Sequence, residues 1–327
     1  MSGKPILVCD IGGTKVQVAL LSPEGRILGQ ERYHVGDERS PELLVRKLAE
    51  RAGALLATAG LSLEQIAGLG CSMAGMIDLA HGFVRSAPPL GWQDFPLRDA
   101  LESELGCPVQ VEMDAYAMTL GEAYWGAVAG RRDVIGLTVG TGVGAGLVLD
   151  GRPYHGCAGL AGEVGHTIVV PGGPLCNCGS RGCLEALASG PAIAEQARAA
   201  IAQGRTTLMT ELAHQDGQLT CRQVFAAARQ GDIAARDVVD AAATYLGIGI
   251  ANLITLLNVE AIVLGGGVIM GGADLLLPTI ERALDGHRGY WTRAVDVAVV
   301  LGTLGDAAPL LGAAIPFLSS QEPENRR

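Results

Sequence analysis

The sequence predicts an α/β protein with a duplicated plan, on three observations. A strand–glycine turn–strand unit opens the chain: Ile6 to Cys9 is a short apolar strand, Asp10-Ile11-Gly12-Gly13-Thr14-Lys15 follows, and Val16 to Leu21 is a second strand. A similar unit recurs about half a chain later, with a strand over Val134 to Val139, a glycine turn from Gly140 to Gly146 and a strand over Leu147 to Leu149. Beyond it, helical and strand patterns alternate, as they do in α/β proteins. Two such units imply a duplicated fold with a cleft between the copies.

The elements follow in order. Ser22-Pro23-Glu24-Gly25 is a turn and Arg26 to Tyr33 a third strand. Pro41 to Gly60 is a helix with Leu43, Leu44, Leu48 and Leu55 as its apolar positions and Ser40 as its N-cap. Ala115 to Ala129 reads as a helix that Asp114 would cap. After the second glycine turn, Asp150-Gly151-Arg152 is a tight turn. Helical Asp237 to Leu257 leads into a strand over Ala261 to Leu264 and then Gly265-Gly266-Gly267. A helix over Asp274 to Leu284, a strand over Val295 to Leu301 and a last helix from Ala308 complete the set, with a polar tail from Gln321.

Bulk properties narrow the function classes. The chain has 327 residues, which fits two domains of usual size, and 49% of them are hydrophobic, enough for a large core. The formal net charge of −10, without a basic cluster, argues against nucleic acid or an anionic membrane as partner. Met1 to Pro5 runs directly into a strand without the pattern of a signal peptide, so a cytoplasmic protein is expected. Ala241 to Val259 is an uncharged run of membrane-spanning length, read here as a helix buried inside the protein.

One stretch carries most of the chemistry. His166, Cys176, Cys178 and Cys183 form H-x9-C-x-C-x4-C, and three of the eight cysteines fall within eight residues. Three thiolates and one imidazole are the ligand set of a closed tetrahedral zinc site, and soft sulfur selects zinc over magnesium or calcium. Glu163 stands three residues before His166 and Glu185 two residues after Cys183. A metal that gathers the four ligands would bring both carboxylates into one neighbourhood, a rigid platform for the hydroxyls of a polyol.

The turn Asp10 to Lys15 lacks the Gly-Lys-Ser/Thr of a Walker A loop, and a strand rather than a helix follows it, unlike a Rossmann fingerprint. Its glycines, Gly12 and Gly13, expose backbone N–H groups as an anion nest, with Thr14 and Lys15 beside them. Asp10 at the strand end is placed to hold Mg²⁺ through water. A second glycine turn, with Thr141 and Gly142, would oppose the first across a polyphosphate, and Gly265 and Gly266 would admit an adenine ring against the backbone.

Together these segments resemble the signature set of the ROK family, whose name covers repressors, open reading frames and kinases. The resemblance runs through Asp10-Ile11-Gly12-Gly13-Thr14-Lys15, Ala87-Pro88-Pro89-Leu90-Gly91-Trp92, Gly140-Thr141-Gly142-Val143-Gly144, Glu163-Val164-Gly165-His166, the cysteine loop through Glu185, and Leu301 to Ala314. It spans essentially the whole chain. It implies an actin-like (ribonuclease H-like), duplicated, two-lobed sugar kinase fold with a zinc-binding loop, working with ATP, Mg²⁺ and a structural Zn²⁺ and forming a homodimer. The implied domains are an N-terminal lobe over residues 1–117, completed by a C-terminal helix over 308–327, and a C-terminal lobe over 118–307 with the zinc loop at 166–183. By the same resemblance, Asp114 is the general base, and Glu163, His166 and Glu185 bind sugar hydroxyls, His166 also ligating zinc. Gly75 lies in a loop that closes over the sugar.

The chain departs from the family pattern beside the base. Sugar kinases of the family carry Asn-Asp-Ala-Asn there, and this chain has Met113-Asp114-Ala115-Tyr116; Ala-Pro-Asn is likewise Ala87-Pro88-Pro89. Methionine cannot hold a sugar hydroxyl as asparagine does, and an unpaired polar group in a dry site costs about 1–3 kcal/mol. Either glucose binds weakly, then, or the preferred acceptor is a different or deoxygenated polyol; the activity that the resemblance implies is phosphorylation of a hexose, at the 6-hydroxyl and with glucose as default. An amino sugar, allose, fructose or a cyclitol stands as alternative acceptor. Sugar-responsive repressors share the cysteine loop but carry an N-terminal DNA-binding module, for which a first strand at Ile6 leaves no room. A non-catalytic sugar sensor is the third class, although it would need no phosphate-binding turns.

Overall fold

Apolar residues fill Ile6–Ile11 (β1) at nearly every position because both faces of the strand are covered. In the computed structural model, which describes residues 3–36, 39–287, 289 and 296–319, β1 is the centre of a five-stranded sheet. It pairs antiparallel with Lys15–Leu21 (β2) and parallel with Leu69–Met73 (β4). Ile27–His34 (β3) and Val109–Met113 (β8) complete the order β3-β2-β1-β4-β8. β3 is an edge strand that alternates between exposed and half-buried positions, so Gln30, Arg32 and His34 face water while Glu31 is half-buried on the other face.

A second five-stranded sheet repeats the plan. Val134–Val139 (β9) is followed by Val143–Leu149 (β10), Arg152–Pro153 (β11), Ala261–Gly265 (β12) and Ala298–Leu301 (β13), in the order β11-β10-β9-β12-β13. In both sheets the spatial order is third, second, first, fourth, fifth, which is the duplication predicted from the two glycine turns. A small antiparallel sheet of Met76–Asp78 (β5), Phe83–Ala87 (β6) and Trp92–Phe95 (β7) was not foreseen.

The chain divides into two compact units. The first comprises Met1–Arg132, Gly146–Ala161 and Gly302–Arg327; the second comprises Asp133–Ala145 and Gly162–Leu301. Within the first, Pro41–Ala59 (α1) begins as expected: the Ser40 hydroxyl accepts the Leu43 N–H. Leu97–Leu105 (α2) and Asp114–Trp125 (α3) follow. Ala308–Ala313, the penultimate described helix, packs on α3 so tightly that a Cβ on Gly312 would lie 1.6 Å from the Ala117 carbonyl oxygen. Leu310, Leu311 and Phe317 join Ile6, Val8, Ala19 and Leu21 in one core cluster. Buried Glu122 anchors the approach to that segment by accepting the Leu304 N–H at 2.8 Å.

The second unit is the more helical. Glu185–Ala188 (α4), Gly190–Ala202 (α5), Met209–Asp216 (α6), Cys221–Arg229 (α7), Ile233–Leu257 (α8) and Gly267–His287 (α9) follow one another. α8 is long and apolar enough to cross a membrane, but 61% of its most apolar stretch is buried inside the protein. It starts at Ile233, four residues before the expected Asp237, because Asp232 caps it by accepting the Ala235 N–H.

Other boundaries moved for similarly local reasons. The second glycine turn is shorter than predicted: Gly140 N–H donates to Gly142 O at 2.9 Å, and Gly144 and Gly146 are already strand. α9 begins at Gly267 rather than Asp274, since the helix runs on through a kink at Gly272. α3 ends at Trp125, short of Ala129. The expected start of the last strand at Val295, and the tail from Gln321, lie outside the described residues.

Candidate active site and metal centre

The cysteine loop is built by backbone hydrogen bonds before any metal is considered. Cys176 N–H donates to Ser180 O at 2.8 Å and Gly179 N–H to Cys176 O at 2.9 Å, which folds Cys176 to Gly179 into a knuckle. Val169 N–H to Gly182 O and Leu184 N–H to Thr167 O lay the returning strand beside residues 167–169. The result gathers one donor atom each from His166, Cys176, Cys178 and Cys183, all within 4.8 Å of one another. Cys178 Sγ lies 3.7 Å from Cys183 Sγ, and Cys176 Sγ lies 3.7 Å from His166 Nδ1. Zinc–sulfur bonds of 2.3 Å in a tetrahedron place two sulfurs about 3.8 Å apart, so the donor set fits zinc closely.

Protonation follows the surroundings. The Ser180 amide N–H pulls the Cys178 thiol down to about 7, whereas burial pushes Cys183 up to about 12 and raises Cys176. A divalent cation bound there would release the thiol protons, which couples metal affinity to pH.

Both flanking carboxylates are tied to this cluster, as the spacing implied. His166 presents Nδ1 to Cys176 and Nε2 towards Glu163, whose Oε2 lies 3.7 Å away. Glu185 is the first residue of α4; its Oε1 lies 4.0 Å from Cys176 Sγ, and its Oε2 accepts the Val143 N–H at 3.0 Å. Glu185 therefore joins the cysteine loop to the glycine turn that carries Thr141 and Gly142. Gly265 and Gly266 are also in the second unit: Gly265 ends β12, and Gly266 joins it to α9.

The remaining predicted residues belong to the first unit. The turn from β1 to β2 closes with Gly12 N–H donating to Lys15 O at 3.0 Å, and Gly13 and Thr14 sit at its tip. Asp10, next to last in β1, lies directly opposite Ser72 of β4, whose hydroxyl donates to Asp10 Oδ1 at 2.8 Å. Burial raises the Asp10 carboxyl above its usual range, against the opposing pull of the Ser72 hydroxyl and the Lys15 ammonium. Lys15 Nζ pairs with Asp306 at 3.0 Å, and Arg32 pairs with the same carboxylate at 2.9 Å. Gly75 follows β4 in the loop leading to β5.

Asp114 is not the helix cap that the sequence suggested. Met113 occupies the N-cap without a side-chain bond, and Asp114 is the first residue of α3. Its Oδ1 accepts the Ala115 N–H at 2.8 Å, a carboxylate held at the positive end of a helix. Met113 is buried, and so is Tyr116, at 1% exposure. Ser72, Glu112 and His155 were not foreseen as neighbours of these residues. Only the strand register pairs Ser72 with Asp10, and His155 reaches Glu112 across 43 residues of chain.

Comparison with known proteins places the chain in a family. The ROK family profile matches residues 6–319, and the chain belongs to the ROK family. It is 38% identical over 314 residues to a glucokinase of Halalkalibacterium halodurans, covering 95% of this chain and 94% of that protein. Its fold is similar to a ROK family glucokinase from Streptomyces griseus solved in complex with glucose and AMPPNP, with 34% identity, 95% of this chain and 98% of that chain covered, and a TM-score of 0.76. It is also 29% identical to a xylose repressor of Caldicellulosiruptor bescii, over 96% of this chain and 78% of the repressor.

Proposed function

We propose that this chain is an ATP- and Mg²⁺-dependent sugar kinase that transfers the γ-phosphoryl group of ATP to a hexose, at the 6-hydroxyl and with glucose as the default acceptor. The observation that carries the reading is the pair of carboxylates on the metal-ligand cluster, with Glu163 3.7 Å from His166 and Glu185 4.0 Å from Cys176. A rigid pair of acceptors suits a polyol, and the similarity to a glucokinase over 95% of the chain supports the same substrate class.

In this reading Glu163, His166 and Glu185 accept or donate to sugar hydroxyls and fix the acceptor, while Gly75 lies in the loop over it. Asp114 takes the proton of the attacking hydroxyl as its oxygen bonds to the γ-phosphorus. The bond from that phosphorus to the bridging oxygen breaks, and ADP leaves. Backbone N–H groups of Gly12, Gly13 and Gly142, with Thr14, Lys15 and Thr141, orient the phosphates, and Gly265 and Gly266 leave room for the base. Phosphoryl transfer asks for this kind of positioning and charge neutralisation rather than covalent chemistry. Bound Mg²⁺ would add to that neutralisation, and Asp10 would hold it. Bound zinc would stiffen the loop through His166, Cys176, Cys178 and Cys183 and so keep the platform residues in register. The protein is proposed to act as a homodimer.

Replacing Asp114 by Asn tests the mechanism. Sugar affinity by calorimetry should stay nearly unchanged while kcat falls by about 10²–10⁴-fold. Full turnover by that variant would remove Asp114 from the role of base. A sugar sensor without turnover is the second reading. It is favoured by Met113 and Tyr116, neither of which offers the family's asparagine amide beside Asp114.

A further inference from the structure

Asp114 stands between two residues that are held from outside their own helix. The Met113 N–H donates to Glu112 Oε1 at 2.9 Å. Glu112 is 6% exposed, and His155 Nε2 meets both of its oxygens, at 3.1 and 3.0 Å. On the other side of Asp114, the Tyr116 ring lies against the His155 imidazole with centroids 4.6 Å apart. The Tyr116 O–H lies between two backbone carbonyls, Tyr154 O at 2.6 Å and Ala161 O at 3.0 Å. All of these residues are in the first unit.

The chemistry of the contact sets its direction. An ionised carboxylate only accepts, so the His155 nitrogen that faces Glu112 must carry a hydrogen. Burying such a pair costs desolvation, and an apolar pair of the same volume would hold the chain together at least as firmly. What the polar pair adds is a fixed direction: one Glu112 oxygen is turned onto the Met113 amide, the last peptide N–H before Asp114. The imidazole packs on Tyr116, two residues after it. A carboxylate that must meet a hydroxyl in line with phosphorus tolerates little displacement, and a misplacement of about 1 Å costs on the order of 100-fold in rate.

We propose that His155, acting through Glu112, is a positioning residue for the Asp114 carboxylate. The proposal rests on the reading of Asp114 as general base. His155 touches neither sugar nor nucleotide in it, so its removal is felt in kcat and not in binding.

The test compares His155→Leu, which removes the N–H, with His155→Gln, which offers an amide N–H at nearly the same place. Each is made in the full chain, alone and combined with Asp114→Asn. His155→Leu should lower kcat by about 10- to 100-fold, leave both KM values within about twofold, and be largely rescued in His155→Gln. On the slow Asp114→Asn background it should cost nothing further, because there is no base left to position. Wild-type kcat in His155→Leu would overturn the proposal. So would equal losses in the Leu and Gln variants, or an undiminished loss on the Asp114→Asn background. If His155→Leu does not fold, His155→Asn, polar but too short to reach Glu112, takes its place with the same expectations. Full activity of Asp114→Asn alone would instead sink the general-base reading, so the two failures are distinguishable.

Discussion

Replacing Gly142 by Ala should weaken the sugar site while leaving the fold almost untouched. A Cβ at this position would lie 2.6 Å from Glu185 Oε2, where ordinary contact begins at 3.4 Å. The oxygen must therefore retreat by about 0.8 Å, the difference between those distances. The same oxygen accepts the Val143 N–H at 3.0 Å, and a retreat of that size carries it out of hydrogen-bond range. A hydrogen bond to a charged group contributes about 1.5–3 kcal/mol, and the half-buried setting of Glu185 favours the lower end. About 1.4 kcal/mol is tenfold in an equilibrium, so the sugar KM should rise about tenfold. The melting temperature should fall by only a few degrees, about 2–4 °C per kcal/mol of the lost bond, because the displaced atom is the tip of a flexible side chain and Gly142 lies outside the left-handed backbone region. The assay is coupled ADP release over a range of sugar concentrations, with melting temperature and zinc content measured on the same preparation. A wild-type KM would refute the assignment of Glu185 to the sugar. A large fall in melting temperature would show instead that the turn serves the fold.

Three other perturbations separate the platform from the scaffold. Cys178→Ala removes the exposed ligand of the four, so it opens no cavity and its effects report on the metal. Metal analysis should show loss of zinc, and calorimetry should show loss of sugar affinity with it; a zinc-free protein that still binds sugar normally would contradict the platform. Asp232→Ala should cost about 1–2 kcal/mol at neutral pH in denaturant unfolding. Burial works to raise the Asp232 carboxyl, but the Ala235 and Leu208 amides hold it below its usual value. A depressed folded value means that this stability is present above the unfolded value near 3.9 and is lost as pH falls below it, so wild type and variant should converge in acid. Gly312→Ala drives a methyl group to 1.6 Å from the Ala117 carbonyl, and backbone cannot yield as a side-chain tip can. It should destabilise by about 3 kcal/mol or more, seen as a lower melting temperature.

Much of the molecule was legible because it is local. The strand over Val134–Val139 and the Ser40-capped helix were read from a few consecutive residues, and each has its predicted start. The ligand set His166, Cys176, Cys178 and Cys183 was read from spacing alone, and its donor atoms do converge. What failed depended on chain that had not yet been placed. The glycine run 140–146 looked like one turn until strand pairing claimed Gly144 and Gly146. The N-cap of α3 went to Met113 because β8 runs straight into the helix, leaving Asp114 with helical torsions. No periodicity announces that His155 stands on Glu112, since only the fold brings them together. Tyr116 could be read as a departure from the family pattern, but its role in binding the carbonyls of Tyr154 and Ala161 could not.

The central claim is that this chain phosphorylates a sugar, and one measurement addresses it directly. Folded, zinc-loaded protein is mixed with ATP and Mg²⁺ over a panel of hexoses, amino sugars and cyclitols, and ADP release is followed against a no-sugar control. Sugar-dependent ADP release with glucose or a close relative, and phosphate found on the acceptor, is the predicted result. Absence of turnover on every member of the panel, from protein that still binds one of them, would contradict the claim and leave a sugar sensor.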